Sequence, residues 1–390
     1  MLGIQATDDD ICTTITEGRP RRFTPSARPG LPVADAVEAV LRRHLDKRLT
    51  EARQTDAVFA EEVAGRVRDI ALRGGKRLRA QFLWWGWRVC GGPADGAEKA
   101  LRLAAALELI QTCAVVHDDV MDGSPVRRGA RAAHEDFAQQ HAAAGMRGSP
   151  ASFGTAGAVL AGDLALAWAD DLLTATALAS GQGARLHQEW CAMRSEMVAG
   201  QYLDMRAAAT GSTALDQAMR IACLKSALYT IERPLSLGAA LAGASDRTTG
   251  VLRSAGRCAG IAFQLRDDIL GVFGDPLRTG KPADDDLQAG KLTYLRAVAL
   301  RLADESGDAA AATALRTPGP TLTGTQVQDA RAALENSGAR RIVEARISRL
   351  VHLSERRLAV LPGEPTAVAA LGSLVRTAAG VAAPHEEDTP

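Results

Sequence analysis

The sequence is poor in the residues that mark several common protein classes. Only 4% of its 390 residues are aromatic, and its six cysteines are scattered with no Cys-x-x-Cys pair. This spacing excludes a disulfide framework and a cysteine-ligated zinc site, and it is typical of reduced cytoplasmic thiols. Basic and acidic residues number 46 each, so no surplus of positive charge attracts nucleic acid. No run of 18 uncharged apolar residues occurs, and we expect no membrane span.

The apolar residues that are present recur at helical spacing along most of the chain. Alanine and leucine dominate them, and both favour helices over strands. Pro234 is expected to kink or break one of these helices. Residues 140–152 and 274–291 lack the spacing and are predicted to be loops, and no strand pair is expected. Helical spacing begins at about Val33, and the predicted helices that follow cover residues 58–72, 78–90, 97–122, 157–179, 184–206, 215–242, 251–273, 292–303, 326–334 and 339–361. A short last helix is predicted before the polar C-terminal tail.

These segments predict an all-α, single-domain bundle of about ten or more helices at residues 33–380. Residues 1–32 are polar and rich in Arg, Thr and Pro, and they predict a disordered N-terminal tail. They contain no apolar segment of the kind that secretory signals need. Residues 381–390 are predicted to form a polar C-terminal tail.

Two acidic clusters interrupt the helical pattern. His117-Asp118-Asp119-Val120-Met121-Asp122 ends one predicted helix, and Gln264-Leu265-Arg266-Asp267-Asp268 lies near the end of another. Asp118 and Asp122 are four residues apart, so a helix places them on one face. Carboxylates in this arrangement are poor ligands for Zn²⁺ but suit Mg²⁺, which often bridges them to substrate phosphates. Two such clusters facing each other would hold a diphosphate through several Mg²⁺ ions.

Clusters of basic residues accompany the acidic ones. Arg127-Arg128-Gly129 follows the first cluster on a turn, and Gly74-Gly75-Lys76-Arg77-Leu78-Arg79 precedes it. The arginine guanidinium binds two phosphate oxygens at once and keeps its positive charge, so both segments are suited to binding an anion. Each segment alone also fits a solvated helix end. Lys225-Ser226 lies inside an apolar helix. Considered by itself, this sequence context favours a surface position for the lysine.

The order of these motifs resembles the trans-isoprenyl diphosphate synthases, the short-chain polyprenyl synthase family, and is most similar to bacterial geranylgeranyl diphosphate synthases. The motifs carry the resemblance from residue 74 to 295, and the helical pattern extends it to 33–380. It implies the isoprenoid synthase fold, a helical bundle around a central cavity. It also implies Mg²⁺-dependent, head-to-tail condensation of isopentenyl diphosphate with dimethylallyl, geranyl or farnesyl diphosphate. A cytoplasmic homodimer without a nucleic-acid partner is expected.

The resemblance also assigns roles to individual residues. The catalytic set would be Asp118, Asp119, Asp122, Lys225, Asp267 and Asp268. All of these aspartates would hold Mg²⁺, about three ions per site, with Mn²⁺ as a substitute. Isopentenyl diphosphate would be bound by Lys76, Arg79, Gln111 and Arg128. The allylic diphosphate would be bound by Arg127, Lys225, Ser226, Gln264, Lys281 and Lys291.

The second acidic cluster departs from the family pattern, which has a third aspartate where this chain has Gly271. One hypothesis is that Asp275, seven residues after Asp268 on the same helical face, replaces it through water. The loop acids Asp284–Asp286 are a second candidate for that role. The alternative is that the first two aspartates suffice, and the sequence slightly favours it.

Product length is expected to depend on the side chains one helical turn before Asp118. Cys113 and Ala114 would point from there down a hydrophobic tunnel that holds the growing chain. Aromatic residues at these positions would stop the chain near C15, whereas small ones let it pass. We therefore expect all-trans geranylgeranyl diphosphate (C20), with farnesyl (C15) or a longer-chain diphosphate as the alternative.

Two other functions fit parts of the pattern. A class I terpene cyclase shares the fold and the first acidic motif, but it needs no isopentenyl diphosphate site, and its cavity is usually lined with aromatic residues, which are scarce here. A non-catalytic subunit of a heteromeric synthase usually lacks the aspartates, whereas this chain keeps the first set intact. Both are weaker interpretations than the synthase.

Overall fold

The computed structural model describes residues 32–275, 285–288, 290–316 and 323–382. Nearly all of both predicted tails, together with Lys281 and Asp284, lie outside this part of the chain. Within it, the fold is the predicted all-α bundle. In chain order the helices are α1 (Val33–Thr55), α2 (57–72), α3 (Leu78–Val89), α4 (Ala97–Asp122), α5 (Ala133–Ala143), α6 (Pro150–Leu178), α7 (Gly183–Thr210), α8 (215–241), α9 (Asp246–Phe273), α10 (Asp285–Gln288), α11 (Tyr294–Ser306), α12 (Ala309–Arg316), α13 (Gly324–Asn336), α14 (Ala339–Leu358) and α15 (Pro365–Ala379).

The predicted loop at residues 140–152 is wrong, because α5 continues to Ala143 and α6 begins at Pro150. Ser149 explains this start: its side chain accepts a hydrogen bond from the Ser152 N–H, and Pro150 fills the first helical position. Three helices that the spacing does not predict are α5, α10 and α12. They are short, and the alanine-rich α12 offers no contrast between apolar and polar faces.

Pro234 does not break α8. The middle of this helix, Ala222–Glu232, is π-helical, and regular α-helical bonding resumes at Arg233. Where π-helical bonding changes to α-helical bonding, the regular backbone hydrogen-bond pattern is interrupted. Pro234, which has no backbone N–H, therefore destabilises the helix little at this point. The π turns also determine which side chains of α8 face the bundle interior.

A short antiparallel hairpin corrects the expectation that no strands pair. It joins β1 (Val126–Arg127) to β2 (Ala130–Arg131). The two turn residues, Arg128 and Gly129, have φ angles of 53° and 73°. Two-residue hairpin turns require such left-handed angles. The hairpin reverses the chain directly after α4.

α4 is the central helix of the bundle and is buried on most of its faces. By length and composition alone, two stretches are apolar enough to cross a membrane, Ala94–Asp122 and Pro150–Leu178, although no span was expected. In the first, 67% of the most apolar window is buried, as in the core helix of a bundle; in the second, only 33% is. α6 therefore leaves apolar side chains exposed, among them Leu160 and Leu178.

Candidate active site

The last turn of α4 carries the first acidic cluster, and the hairpin folds basic residues back onto it. Gly123 ends α4 in the left-handed conformation, with φ 64°. From β1, the Arg127 guanidinium donates to Asp119 Oδ1 (Nε–O 2.6 Å) and to Asp118 Oδ2 (3.3 Å). The predicted ligand of the allylic diphosphate thus lies against two predicted metal ligands.

Asp118 meets side chains of α7 and α8 inside the cavity. Its Oδ1 accepts hydrogen bonds from Gln201 Nε2 at 3.0 Å and from Lys225 Nζ at 3.2 Å. Lys225 also donates to Asp204 at 2.7 Å. The surface position that the sequence context alone favoured for Lys225 is therefore wrong. Its neighbour Ser226, in the π-helical part of α8, is half-buried.

Gly200 lets α7 and α8 approach closely enough to make these contacts. A Cβ at this position would fall well inside van der Waals contact with the backbone nitrogen of Lys225. Sequence reasoning missed Gln201 and Asp204 as site residues. The available signal was Gly200-Gln201-x-x-Asp204, in which a small residue precedes two polar residues that share one helical face.

Cations set the protonation of the first cluster. Burial alone would raise the pKa of Asp118, but the charges of Lys225, Lys291 and Arg127 outweigh it and lower that pKa. Asp119 is only 2% exposed, and burial raises its pKa despite the hydrogen bond from Arg127. For Lys225, burial acts to lower the pKa, but Asp118 and Asp204 raise it overall. Asp118 and Lys225 therefore form a charged pair at neutral pH.

α9 presents the second acidic cluster to the same cavity. Asp268 accepts hydrogen bonds from Gln264 Nε2 at 2.7 Å and from the Tyr294 N–H at 3.2 Å. Burial raises the pKa of Asp268 to about 8; the Gln264 hydrogen bond opposes this shift, while the charges of Asp286 and Asp267 add to it. Asp267 is exposed and lines the cavity together with Asp268 and the Asp118–Lys225 pair.

Gly271 leaves a space that Asp286 of α10 occupies. A Cβ on Gly271 would clash with Asp286 Oδ2, so this carboxylate lies where a third aspartate would project its side chain. Asp286 is also 3.9 Å from Lys291 Nζ, which donates to Asp122 at 2.7 Å. Lys291 therefore joins the first cluster to Asp286. Asp275, the other candidate for the missing carboxylate, is exposed beyond the end of α9.

A basic pocket lies beside the first cluster, lined by residues of α2, α4 and the hairpin. Arg128, on the hairpin turn, reaches across Gly75 and donates to the Gly74 carbonyl. Gly75 has φ 127°, and a Cβ there would come within 3.1 Å of the Arg128 guanidinium. The two glycines thus supply the backbone conformation and the space that bring Arg128 to the segment containing Lys76. Lys76 itself is exposed.

The pocket carries excess positive charge and an unpaired amide oxygen. Burial lowers the pKa of Arg128, and the charges of Arg77, Arg79 and Arg127 act in the same direction against Glu108. Within the described part of the chain, Gln111 Oε1 is buried without a hydrogen-bond partner. The excess positive charge suits an anionic ligand, whereas the Gln111 oxygen is an acceptor that would need an N–H or O–H donor.

Arg77, the central cation of the Lys76–Arg79 segment, lines this pocket, but its charge is already paired with Glu108. Its φ of 47° turns it inward, where it donates to Glu108 at 2.7 Å and to the Ala71 carbonyl at 3.0 Å. Arg79 points towards α8 instead. Its guanidinium lies 4.4 Å from the Tyr229 ring centroid, and it donates to Thr230 at 3.0 Å.

The predicted chain-length residues lie below the first cluster. Cys113 is buried and Ala114 is half-buried, and both contact the apolar core between α4, α6 and α7. Burial raises the pKa of the Cys113 thiol to about 12, with smaller contributions from Asp163 and Asp170. Cys113 is therefore a neutral, small and apolar wall residue at neutral pH.

The aspartates fit Mg²⁺ better than a metal held by protein alone. Among the described residues, no three acidic or metal-ligating side chains stand together at metal-binding distance. The cavity instead offers separate carboxylates from two sides, accompanied by cations. Mg²⁺ keeps several waters and takes oxygens from one or two carboxylates and from substrate phosphates. The donor set therefore suits Mg²⁺ that binds together with a diphosphate.

Comparisons with known proteins agree with this geometry. The model of the polyprenyl synthetase family matches residues 61–328, which include both acidic clusters and the basic pocket. Geranylfarnesyl diphosphate synthase of Aeropyrum pernix is 32% identical over 250 residues, 63% of this chain and 73% of the relative. Geranylgeranyl diphosphate synthase of Mycobacterium tuberculosis is 30% identical over 272 residues, 69% of this chain and 71% of the relative.

A solved structure is similar over nearly the whole fold. Geranylgeranyl pyrophosphate synthase from Corynebacterium glutamicum, complexed with isoprenyl diphosphate and magnesium, superposes with a TM-score of 0.84. It is 37% identical in sequence, and the match covers 90% of this chain and 99% of that one. The similarity therefore extends from the motifs to the arrangement of the helices.

Proposed function

This chain belongs to the polyprenyl synthetase family of trans-prenyltransferases, and we propose that it condenses isopentenyl diphosphate head-to-tail with allylic diphosphates to give all-trans geranylgeranyl diphosphate. One observation carries the assignment of the site: carboxylates from α4 and α9 face a single cavity that also contains Lys225 and Lys291. An apolar core extends below this cavity, and a basic pocket lies beside it. A diphosphate with a hydrocarbon tail and a second diphosphate fit these three environments.

The allylic diphosphate would bind between the two acidic clusters. Asp118, Asp119 and Asp122 would hold Mg²⁺ on one side, and Asp267 and Asp268 on the other, about three ions in all. The bound ions would act as Lewis acids that stabilise the negative charge of the leaving diphosphate. Arg127, Lys225, Ser226, Gln264, Lys281 and Lys291 would contact the same diphosphate.

Isopentenyl diphosphate would bind in the basic pocket. Arg128 would supply positive charge from the pocket wall, and Gln111 would donate through its side-chain N–H. Lys76 and Arg79 do not line the pocket in this structure and would supply charge from beside it. The pocket is lined by Arg127 and Asp119 as well. This arrangement would bring the second substrate next to the allylic diphosphate, so that the reacting carbons are held close together.

The reaction follows from this placement. The allylic C–O bond breaks, and the bonding electrons leave with the diphosphate, whose charge Lys225 and Arg127 help to stabilise. The double bond of isopentenyl diphosphate then attacks the allylic carbocation through C4. The adduct loses a proton to the released diphosphate, and a new double bond forms. The tightly packed walls exclude water, which would otherwise trap the carbocation.

Asp286 would complete the second cluster in place of the missing third aspartate. Its carboxylate occupies the space in front of Gly271 and lies close to Lys291. These contacts favour Asp286 over Asp275 and over the alternative in which Asp267 and Asp268 suffice. Asp286 would act through water or through Lys291.

We also propose that the enzyme is a cytoplasmic homodimer. The exposed apolar side chains of α6, such as Val159, Leu160 and Leu178, form a face that the bundle leaves uncovered. An exposed apolar surface of this kind marks an interaction site. A second copy would cover it through a two-fold interface in which the same face is used twice.

Product analysis tests the function. The purified protein would receive Mg²⁺, isopentenyl diphosphate and, in turn, dimethylallyl, geranyl or farnesyl diphosphate, and the dephosphorylated alcohols would be sized by mass spectrometry. A dominant C20 alcohol is expected from all three starters. A C15 product would retain the enzyme class but refute the open tunnel at Cys113 and Ala114. A cyclic hydrocarbon would overturn the proposal in favour of a terpene cyclase. The absence of any product would overturn it in favour of a non-catalytic subunit.

A further inference from the structure

One face of α7 runs from the first acidic cluster down into the core. Gln201, which donates to Asp118, begins it near the top. Met197, Met193, Trp190 and Leu186 precede Gln201 by four, eight, eleven and fifteen residues, so all lie on the same helical face. Met193, Trp190 and Leu186 are buried, and they belong to the apolar core that contains Cys113. A product chain that grew down from Asp118 past Cys113 would run along this face.

Trp190 is deeper than Cys113 and is held in a fixed orientation. It is 1% exposed, and its indole Nε1 donates to Asp170 Oδ1 of α6 at 2.6 Å. The other oxygen of Asp170 accepts a hydrogen bond from Arg194, one turn further along α7. A tryptophan whose N–H is tied to an ion pair cannot rotate aside without breaking that bond.

The contacts of α6 show on which side of the cluster Trp190 lies. A Cβ on Gly162 would clash with the His117 ring, so Gly162 is level with the top of α4. Asp170 follows eight residues later, about 12 Å further along α6 at 1.5 Å per residue. The charge of Asp170 also contributes to the raised pKa of Cys113. Asp170 and the indole that it binds are thus far below the aspartates.

The depth of Trp190 can be compared with the length of the product. Trp190 precedes Gln201 by eleven residues, which corresponds to about 16 Å along α7. An extended chain advances by about 1.2 Å per main-chain bond, so each isoprene unit spans about 5 Å. A C15 chain of three units, about 14 Å, fits above Trp190. A C20 chain of four units, about 19 Å, does not fit there while its diphosphate remains at the aspartates.

We propose that Trp190 is the floor of the elongation cavity and determines the C20 product. Farnesyl diphosphate fits above the indole and is extended once, whereas the C20 product cannot return to the allylic position for another condensation. Met193 and Met197 lie higher on the same face, but methionine is flexible and unbranched and can move aside for a growing chain. The inference rests on the proposed function, because it requires that the cavity below Asp118 holds the prenyl chain.

The test is the product distribution of Trp190→Leu, with farnesyl diphosphate as the starter and excess isopentenyl diphosphate. We expect the ratio of C25 and longer products to C20 to rise at least tenfold. Trp190→Phe, which keeps a flat ring but loses the bond to Asp170, is expected to give a smaller rise. Cys113→Phe, higher in the cavity, is expected to shift the product in the opposite direction, towards C15.

Trp87→Leu is the matched control, because Trp87 is equally buried in the same core but belongs to α3. It is expected to leave the product at C20, and melting temperatures of all variants would show that each is folded. Unchanged C20 product from a folded Trp190→Leu variant would overturn the inference. So would lengthening by Trp87→Leu to the same extent as by Trp190→Leu. If the unmodified enzyme elongates none of the starters, the proposed function itself fails.

Discussion

The two acidic clusters are built from the same side chain but are neutralised in different ways. Asp118, in the first cluster, meets Lys225 and Arg127, and its pKa is lowered. Asp268, in the second, meets an amide and a backbone N–H, and its pKa is raised to about 8. Asp118 is thus kept ionised before any ligand arrives. Asp268 is kept largely protonated, and it would ionise when a cation binds.

This difference shows how the cavity would accommodate the Mg²⁺ ions proposed above and still balance its charges without them. If they were unpaired, the carboxylates of the two clusters and of Asp286 would repel each other strongly. Lysines and arginines remove this repulsion on the α4 side. On the α9 side, burial of Asp268 removes it by favouring the neutral acid. The predictions below test this contrast, beginning with the largest expected effect.

Replacing Asp118 is expected to have the largest effect. Asp118→Ala removes a proposed Mg²⁺ ligand and leaves Lys225 and Arg127 with less negative charge to balance. We expect kcat to fall by about 10³-fold or more, the upper end of the loss caused by removing one group that stabilises transition-state charge. Steady-state kinetics at saturating Mg²⁺ would measure it. Asp246→Ala is the control, because it changes a fully exposed carboxylate in the first turn of α9, and it should retain full activity. A loss of less than tenfold in Asp118→Ala would contradict the prediction.

Removing the Asp286 carboxylate is expected to weaken Mg²⁺ binding by about tenfold, as removal of groups that support metal ligands commonly does. Calorimetric titration of Mg²⁺ into protein with inorganic diphosphate would measure the affinity of Asp286→Ala without requiring turnover. Asp275→Ala is the matched control, since both are acids near the end of α9, and it should bind Mg²⁺ as the unmodified protein does. Weakening by Asp275→Ala instead would assign the third carboxylate to that residue.

The stability of the metal-free protein is expected to fall as the pH rises, in part because of Asp268. Its folded pKa of about 8 is above the ordinary aspartate value of 3.8, so its contribution is fully present below about pH 4 and is lost as pH rises through about 8. The slope from one such group is at most about 1.4 kcal/mol per pH unit. Denaturant unfolding in chelator at pH 5, 6.5 and 8 would measure it. Asp268→Asn should flatten the dependence, and identical slopes for the two proteins would refute this account.

The smallest effects are expected at the two glutamines. Gln201→Leu leaves Asp118 with Lys225 and Arg127, so we expect a loss of about 1 kcal/mol or less in transition-state stabilisation. Gln264→Leu removes one of two donors to Asp268, so its pKa should rise further. The pH at which activity reaches half its maximum should then move upward by about 0.5 to 1 unit, whereas Gln201→Leu should leave it in place. Equal pH shifts in both variants would remove the proposed contrast.

Features that leave a helical periodicity or a local order of motifs could be predicted from the sequence. The long amphipathic and apolar helices and the all-α class follow from spacing, and the motif order indicated the enzyme family. The structure brings Asp118, Lys225, Gln264 and Lys291 to one cavity, and Arg127 contacts Asp118 from the neighbouring basic pocket. The roles assigned to these residues remain predictions.

Contacts between distant segments could not be predicted in the same way. Asp286 fills the space at Gly271 only because α10 packs there. The inward turn of Arg77 depends on a left-handed backbone angle and on Glu108, which is 31 residues away. Lys225 enters the cavity because π-helical turns and Gly200 bring α8 close to α7. None of these features has a periodic signal in the sequence.

The bridge that Lys291 forms between Asp122 and Asp286 has a consequence for the order of binding. A free Mg²⁺ ion that approaches Asp122 must displace an ammonium that donates to this carboxylate at 2.7 Å, and it leaves Lys291 with the more distant Asp286, at 3.9 Å, as its remaining ion-pair partner. A diphosphate removes this obstacle, since its oxygens receive the lysine and coordinate the metal at once. Metal and allylic substrate should therefore enter as a pair. The resting enzyme would then respond to the supply of prenyl substrate and hardly at all to the free Mg²⁺ concentration of the cell.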